Sequence, residues 1–258
     1  MHEILKPLPP TALVLDLGCA TGSFPREATQ ATVVRFDRDR PGHAPERFVQ
    51  GDAAALPFAD NTFDAIVSNH SLEHLDHLDA SLREIGRVMR PHGALFVSVP
   101  DAGTFTDKLY RWLARGGGHV NAFTSSDELA GTIERGTGLR HRATRTLCSS
   151  LSFLNRRNSP RPRPRRLLLL GAGYEWSLFL YVWASRRLDR WLRTRTGVYG
   201  WALYFGEVPG PIDTGTSVNV CIRCGSGIRS NLLAPFFRGI PVYRCPTCGA
   251  TNPFAEDV

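Results

Sequence analysis

The chain lacks the features that direct a protein into or across a membrane. Its first ten residues, MHEILKPLPP, contain no apolar run of the kind found in secretory signals, so we expect a cytoplasmic protein. Lysine is almost absent, because all but two of the 31 cationic side chains are arginine. With 258 residues, 42% of them hydrophobic, the chain is long enough to bury one full core and to carry a small appendage.

Glycine is missing where a dinucleotide site needs it. Residues 13–22, LVLDLGCATG, are an apolar run that ends at Asp16 and breaks into a loop. This pattern predicts a strand followed by a tight turn into a helix, where open α/β sheets hold nucleotide-like ligands. The fingerprint G-x-G-x-x-G is incomplete, since Ala20 occupies the second glycine position and the third glycine is absent. A carboxylate at the strand end also repels phosphate, which favours a cationic or hydroxyl-bearing ligand.

Acidic residues follow the next predicted strands. TVVRFD ends at Asp37, where a carboxylate can accept both hydrogen bonds of a ribose. Asp52, in GDAAALPF, is placed to accept the exocyclic amine of adenine. A fourth strand, FDAIVSN, and a fifth, ALFVSVP, flank a predicted helix that ends before Pro91. The apolar positions of that helix are Leu78, Leu82, Ile85 and Met89.

Three motifs in this order carry a family resemblance. LDLGCATG, GDAAALPFADNTFDAIVSN and LREIGRVMRPHGALFVSVP resemble class I S-adenosylmethionine-dependent methyltransferases, specifically the small bacterial group called type 11. The resemblance covers residues 11–148 and resumes at VYGWALYFGEV. It implies an α/β fold with a Rossmann-like, doubly wound, seven-stranded sheet and S-adenosylmethionine as cofactor.

The resemblance also implies a role for individual residues. The loop would shape the pocket for the methionine end of the cofactor, Asp37 would hold the ribose, and Asn69 would form the floor near the sulfonium. The full set of implied cofactor residues is Asp16, Gly18, Cys19, Ala20, Gly22, Asp37, Asp52, Ala53 and Asn69. The chain departs from the family between Asp37 and Arg47, where two prolines and a glycine predict a loop in place of a helix.

Cysteine is concentrated near the C-terminus. Cys19 and Cys148 are isolated, whereas CIRCG and CPTCG are two C-x-x-C pairs separated by 20 residues. This spacing favours a structural zinc ribbon over a disulfide pair or a redox dithiol. Its ligands would be Cys221, Cys224, Cys245 and Cys248, and the glycine after each pair permits a positive φ. We therefore predict a methyltransferase domain over residues 1–210 and a zinc ribbon over 211–258, which packs on the sheet or docks a partner.

Positive charge is concentrated in one segment. Residues 140–195 contain fourteen arginines and only two acidic residues. Most of this segment falls between the predicted sixth strand, LRHRATRTLCSS, and the predicted seventh, VYGWALYFGEV. We predict a basic, aromatic insert at about residues 150–197, which begins with the proline-arginine run RRNSPRPRPRR. The apolar part that follows is interrupted by glycines and Glu175, which argues against a bilayer span. The 165–196 segment fits a helix in a membrane interface at the inner face, and equally a buried helix or a homodimer contact.

The methyl acceptor is expected beside NHSLEHL, just after the fourth strand. Methyl transfer requires in-line positioning, and it requires a base only where the acceptor must lose a proton. His70, Glu73 and His74 would share one face if the segment is helical. Together with His119 of GGGHVNAFT they are the candidate catalytic residues.

The same residues suggest a metal. H-x-x-E-H resembles the E-x-x-E-H motif with which terminal 2'-O-methyltransferases of small RNAs and O-methyltransferases of ubiquinone biosynthesis hold a divalent cation. His70 stands where those families have glutamate, and His119 would be a fourth ligand. The alternative, which we favour, is that Glu73 is a helix-start acid and His74 a packing residue.

Three functions are compatible with these features. The first is methylation, chiefly of oxygen, on a small-molecule, glycan or lipid-linked acceptor at a membrane surface. The second is methylation of RNA, with the arginine-rich insert and the ribbon holding the nucleic acid. The third is a non-catalytic scaffold that binds S-adenosylmethionine.

Overall fold

The computed structural model describes residues 1–104, 107–108, 112, 119–148, 184, 187–188, 191–193, 198–212, 217–220, 227–233, 242–246, 249 and 251–253. The chain divides into two compact units. The first comprises Met1–Pro100, His119–Thr144 and Trp201–Thr214, and the second comprises Asp101–Gly118, Arg145–Gly200 and Gly215–Val258.

A largely parallel sheet forms the core of the first unit. Its strands are β1 (Leu13–Leu17), β2 (Thr32–Asp37), β3 (Phe48–Gln50), β4 (Phe63–Asn69), β5 (Met89–Pro100), β6 (His141–Cys148) and β7 (Val198–Gly206), and residues 141–144 of β6 and 201–206 of β7 belong to this unit. They are ordered β3-β2-β1-β4-β5-β7-β6, and the pairs β1/β2, β1/β4, β2/β3 and β4/β5 are parallel. The central strands are apolar runs because both faces of a parallel sheet are covered. This arrangement confirms the predicted α/β, Rossmann-like class.

Two helices of the first unit pack against each other. They are α2 (Leu78–Val88) and α3 (Ser126–Thr137), and a short α1 (His2–Leu5) precedes β1. A Cβ added at Gly86 would lie 2.4 Å from the carbonyl oxygen of Thr137, and one at Gly136 would lie 2.6 Å from the Cβ of Leu82. Glycine at both contacts therefore lets the two helix backbones approach closely. The buried side chains of α2, including Leu82, Ile85 and Val88, join the core of the sheet.

Three local predictions have definite outcomes. The loop predicted between Asp37 and Arg47 is confirmed, since no helix occurs there. The helix expected after the glycine loop is wrong, because residues 18–31 contain only the single 3-10 turn Arg26–Ala28. The end of α2 is also wrong: the helix stops at Val88, and Met89 already belongs to β5. Pro91 disfavours helical backbone at the residue before it, so the chain leaves the helix early.

The second unit contains further strands. Residues Thr146–Cys148 of β6 pair in parallel with β8 (Ser217–Val220), and β8 pairs antiparallel with β9 (Gly227–Arg229). The predicted count of seven strands is therefore too low. A second antiparallel pair joins β10 (Val242–Arg244) to β11 (Thr251–Pro253). A short α4 (Ser230–Leu233) follows β9, and Ile228, Leu233, Tyr243 and Cys245 form a small buried cluster.

Several predicted features lie outside the described residues. They include most of the 150–197 insert and the cysteines Cys221, Cys224 and Cys248. Within the part of the chain that is described, no helix combines the length and the hydropathy that a membrane crossing requires.

Candidate functional site

The loop after β1 turns through left-handed backbone at three positions. Gly18, Ala20 and Gly22 have φ values of +70°, +46° and +115°. The amides of Gly18 and Cys19 donate to the carbonyl oxygen of Phe36 on β2, at 2.8 and 3.0 Å. Ala20 therefore adopts the conformation that a glycine would adopt freely, at a cost of about 1 kcal/mol.

Gly18 is required by a close approach as well as by its backbone angle. A Cβ at this position would lie 2.3 Å from the Cβ of Ser71. The Ser71 hydroxyl donates to the carbonyl oxygen of Leu17 at 3.0 Å and lies 2.6 Å from the Ser68 hydroxyl. Ser71 thus packs against the loop at Gly18 and binds the end of β1, a role that no pattern in the sequence indicated.

Asp16 is fully buried beneath the loop. Its Oδ2 accepts hydrogen bonds from the Ser23 amide, at 3.0 Å, and from the guanidinium of Arg35. The second oxygen, Oδ1, has no hydrogen-bond partner among the described residues. The charge of Asp16 is paired with that of Arg35, so the carboxylate does not stand alone at the strand end. The carboxylate instead holds the backbone of the loop.

Cys19 lies buried in the same loop. Burial, followed by the nearby charges of Asp16 and Asp37, raises the pKa of the Cys19 thiol to about 12. The side chain is therefore an uncharged packing group at neutral pH.

The two acidic residues predicted for the adenosine end lie on adjoining segments. Asp37 ends β2, where its Oδ2 accepts from the Ala20 amide at 2.7 Å and its Oδ1 from the Asp39 amide at 3.1 Å. The Gly51 amide donates to the carbonyl oxygen of Asp37 at 3.1 Å, which brings the exposed Asp52 alongside. A carboxylate oxygen has more than one acceptor site, so both residues retain capacity for a hydroxyl or amine.

An ion pair on α2 holds the loop that follows Asp52. Glu84 accepts from the Leu56 amide at 2.8 Å, and Arg87 donates to the carbonyl oxygens of Leu56 and Phe58 at 3.0 and 2.8 Å. The two side chains bind each other through two contacts of 2.7 Å. The hydrogen bond from Arg87 lowers the pKa of the Glu84 carboxyl. We call these two residues the Glu84–Arg87 clamp.

Asn69 ends β4 and marks the start of the acceptor side. Its Oδ1 accepts from the Ser98 hydroxyl at 2.7 Å, which fixes the amide at the carboxyl edge of the sheet. His70 follows with a φ of +54°, and its amide donates to the carbonyl oxygen of Ser98 at 2.9 Å. Non-glycine residues held at positive φ are uncommon and cluster at functional sites.

The candidate catalytic residues come together just beyond Asn69. Glu73, His74 and His119 each offer one ligand atom, and these atoms all lie within 4.8 Å of one another. The rings of His74 and His119 are 4.9 Å apart, and Glu73 Oε1 lies 3.4 Å from Nδ1 of His70. The segment is not an α-helix. A single 3-10 turn, Leu72–His74, carries Glu73 and His74, while His70 precedes it.

Asn121 holds the His119 segment on this turn. The amides of Val120 and Asn121 donate to the carbonyl oxygen of Glu73 at 2.8 and 3.0 Å. The side-chain amide of Asn121 donates to the carbonyl oxygens of Leu72 and Leu75 at 3.0 and 2.8 Å. These four bonds place His119 beside Glu73. Sequence reasoning missed Asn121, although it stands two residues after His119 in GGGHVNAFT.

The cluster has the donor set of a divalent-cation site. Glu73 is 1% exposed, and its Oε2 has no hydrogen-bond partner among the described residues. Two imidazoles and one carboxylate suit zinc and other first-row metals. The residues present therefore fit a cation, with Glu73, His74 and His119 as its ligands.

Of the four cysteines of the predicted zinc ribbon, Cys245 is the one that lies among the described residues. Cys245 is 2% exposed, and its carbonyl oxygen accepts from the Gly249 amide at 2.8 Å. Gly249 has a φ of +69°, the positive value expected for the glycine after a C-x-x-C pair. In the sequence, the first C-x-x-C pair follows β8 and precedes β9, and the second begins directly after β10 and precedes β11.

The chain is similar to known methyltransferases in sequence and in structure. Residues 15–97 match the family described as a methyltransferase domain. Malonyl-[acyl-carrier protein] O-methyltransferase from Methylococcus capsulatus is 35% identical over 190 residues, which are 62% of this chain and 68% of that protein. Demethylmenaquinone methyltransferase from Corynebacterium kroppenstedtii is 37% identical over 128 residues, 46% of this chain and 56% of that protein. A SAM-dependent methyltransferase from Archaeoglobus fulgidus matches the fold with a TM-score of 0.51 and 17% identity, covering 76% of this chain and 86% of that one.

Proposed function

The chain belongs to the S-adenosylmethionine-dependent methyltransferases, and on that premise we propose that it methylates an oxygen atom of a small-molecule, glycan or lipid-linked acceptor. The observation that carries the proposal is the cluster of His70, Glu73, His74 and His119 directly beyond Asn69. The choice of oxygen is supported by the relative from Methylococcus capsulatus, which is named as an O-methyltransferase.

The donor half of the site is built to position the cofactor. When bound, S-adenosylmethionine supplies a methyl group already activated by its sulfonium, so the protein's contribution is chiefly in-line placement. Asp37 would hold the ribose, and the adjoining loop around Asp52 and Ala53 would hold the adenine. The turn from Gly18 to Gly22 would hold the methionine end, and Asn69 would form the floor near the sulfonium.

The acceptor half supplies a base for a hydroxyl acceptor. His70 takes the proton of the hydroxyl, while the buried Glu73 orients the imidazole through Nδ1 and stabilises the imidazolium. This pairing follows the logic of a carboxylate that fixes the tautomer of a catalytic histidine. A carboxylate acceptor carries no proton to remove, so its methylation does not need His70.

One pair of variants distinguishes hydroxyl acceptors from carboxylate acceptors. Glu73→Gln and His70→Ala should each lower kcat at least about tenfold on phenol or alcohol acceptors and leave the Kd of S-adenosylmethionine unchanged. His92→Ala, on an exposed residue, is the matched control. The assay follows transfer of a tritiated methyl group from S-adenosylmethionine. Loss of transfer to hydroxyl acceptors, with transfer to carboxylate acceptors retained, identifies His70 as the base. Full activity of both variants on hydroxyl acceptors would contradict it.

A divalent cation is a second candidate for the same step, supported by the buried, unpartnered Oε2 of Glu73. Bound by Glu73, His74 and His119, a cation would lower the pKa of an acceptor hydroxyl and orient it. His119→Ala should then abolish activation by added Mn²⁺ or Zn²⁺. Full activity of metal-depleted enzyme in EDTA would refute this candidate.

In this proposal the insert recruits the acceptor, and the cysteine pairs stabilise the fold by holding a structural zinc ion. The 165–196 segment would bring the acceptor to the inner face of the membrane, which predicts sedimentation with anionic liposomes that is lost when residues 156–196 are deleted. Absence of liposome binding would refute the membrane contact. Tight RNA binding that weakens steeply with salt would instead favour nucleic acid as the acceptor.

A further inference from the structure

Arg35 is an unusual residue for a buried position in a parallel sheet. It lies on β2 directly opposite Asp16 on β1, and the two residues are 8% and 0% exposed. A buried charge is tolerated only when it is paired and its remaining donors are satisfied. The guanidinium binds Asp16, donates from Nη2 to the carbonyl oxygen of Phe24 at 3.1 Å and lies 4.4 Å from the centroid of the Phe24 ring.

These contacts reach both ends of the cofactor loop. Asp16 is the penultimate residue of β1, just before the loop, and Phe24 lies two residues after Gly22. Gly22 itself lies close to the guanidinium, since a Cβ there would be 3.5 Å from Nη1 of Arg35. One side chain therefore binds the chain on both sides of the turn from Gly18 to Gly22.

The loop has no packed helix to hold it. The 3-10 turn Arg26–Ala28 has no buried residue, and it is the sole helical segment in residues 18–31. In an open α/β sheet, the helix after the first strand normally anchors this turn through its own packing. Here the neighbouring strand β2 supplies that anchor from the side, through Arg35.

We propose that Arg35 is the positioning residue for the S-adenosylmethionine loop. It does not touch the cofactor, and it acts through the carboxylate of Asp16 and the carbonyl of Phe24. Three contacts on one guanidinium preorganise the loop, so the cofactor does not have to order it on binding. The proposal concerns cofactor affinity alone, and it stands or falls independently of the acceptor.

The test is calorimetric titration of S-adenosylmethionine into the full-length protein. Arg35→Met should raise Kd at least about tenfold, because both ends of the loop are released. Arg35→Lys keeps a charge near Asp16 but loses the planar fork, so it should raise Kd by about threefold. Arg90→Met removes a half-exposed arginine that pairs with Asp64 at 2.6 Å, at the opposite edge of the sheet, and should stay within about twofold.

Folding defects are separated from positioning by the form of the titration. A misfolded fraction lowers the binding stoichiometry at unchanged Kd, whereas lost preorganisation raises Kd at unchanged stoichiometry. If Arg35→Met does not fold because Asp16 is left buried and unpaired, Asp16→Asn with Arg35→Met removes both charges and keeps the measurement possible. A wild-type Kd in whichever of these variants folds, or a change in stoichiometry alone, would overturn the proposal.

Discussion

At the scale of single residues, the cofactor loop makes two separate demands that favour glycine. The first is a positive φ, and the second is a close approach that leaves no room for a Cβ. Ala20 meets the first demand, a positive φ, at the cost of some strain. Gly18 meets both demands, since its φ is positive and Ser71 leaves no room for a Cβ. Alanine, which is present at position 20, is therefore excluded at position 18.

Gly18→Ala should destabilise the protein by about 2 kcal/mol or more and abolish detectable binding of S-adenosylmethionine. Gly138→Ala is the matched control, because Gly138 has nearly the same φ, +73°, but no atom within 4 Å of an added Cβ. It should cost only about 1 kcal/mol and leave cofactor binding intact. Thermal denaturation and calorimetry measure the two effects. Equal losses for both variants would show that backbone strain alone, and not the contact with Ser71, governs position 18.

The sequence identified site residues that stand at strand ends, and it missed those that support them. Asp16, Asp37 and Asn69 each follow an apolar run, so their position at the carboxyl edge could be predicted. Ser71 reaches the carbonyl oxygen of Leu17 across 54 residues of chain, and Asn121 reaches that of Leu72 across 49. Such contacts depend on how the elements pack, and no local pattern encodes them.

At the scale of elements, α2 stabilises the loop that is proposed to hold the adenine. The Glu84–Arg87 clamp binds the loop at Leu56 and Phe58 and reaches Asp60 with a contact of 2.7 Å. The clamp thus links the helix to a segment that has no regular structure of its own.

The clamp makes part of the stability depend on pH. The folded pKa of Glu84 is lowered by the hydrogen bond from Arg87, so its contribution is present above the unfolded pKa, about 4.3, and is lost as pH falls through the folded value. Glu84→Gln should therefore show a shallower fall in stability between about pH 5 and pH 3 than wild type. Glu46→Gln, which breaks an exposed pair with Arg26, should follow the wild-type curve. Urea unfolding at each pH makes the comparison, and identical slopes for Glu84→Gln and wild type would contradict the role of the clamp.

Element types were more predictable than element ends. The strands could be identified because buried parallel strands are continuous apolar runs. The helix after the glycine loop was not formed, since Pro25 and the polar residues around it provide no apolar face to pack. The strands β8 and β9 were missed because the count of seven was taken from the family resemblance.

At the scale of the whole molecule, metal content distinguishes the two candidate metal sites. If the four cysteines hold a structural zinc ion, protein purified without chelator should contain about one zinc per chain. Cys224→Ser should lose that zinc, whereas Cys148→Ser, on an isolated cysteine, should retain it. A metal ion that survives Cys224→Ser and disappears in His119→Ala would belong to the acceptor cluster. Mass spectrometry of the metals settles the count, and zinc-free, fully folded wild type would refute the ribbon.

The stretch from Asn69 to Leu75 touches both halves of the site. Its first part, which is proposed to form the cofactor floor, places Ser71 against Gly18. Its second part carries Glu73, whose carbonyl oxygen accepts the hydrogen bonds of Val120 and Asn121. A ligand that fixes one end of so short a segment also restricts the other end. Donor and acceptor should therefore bind with positive and reciprocal cooperativity, each raising the affinity of the other by the same factor.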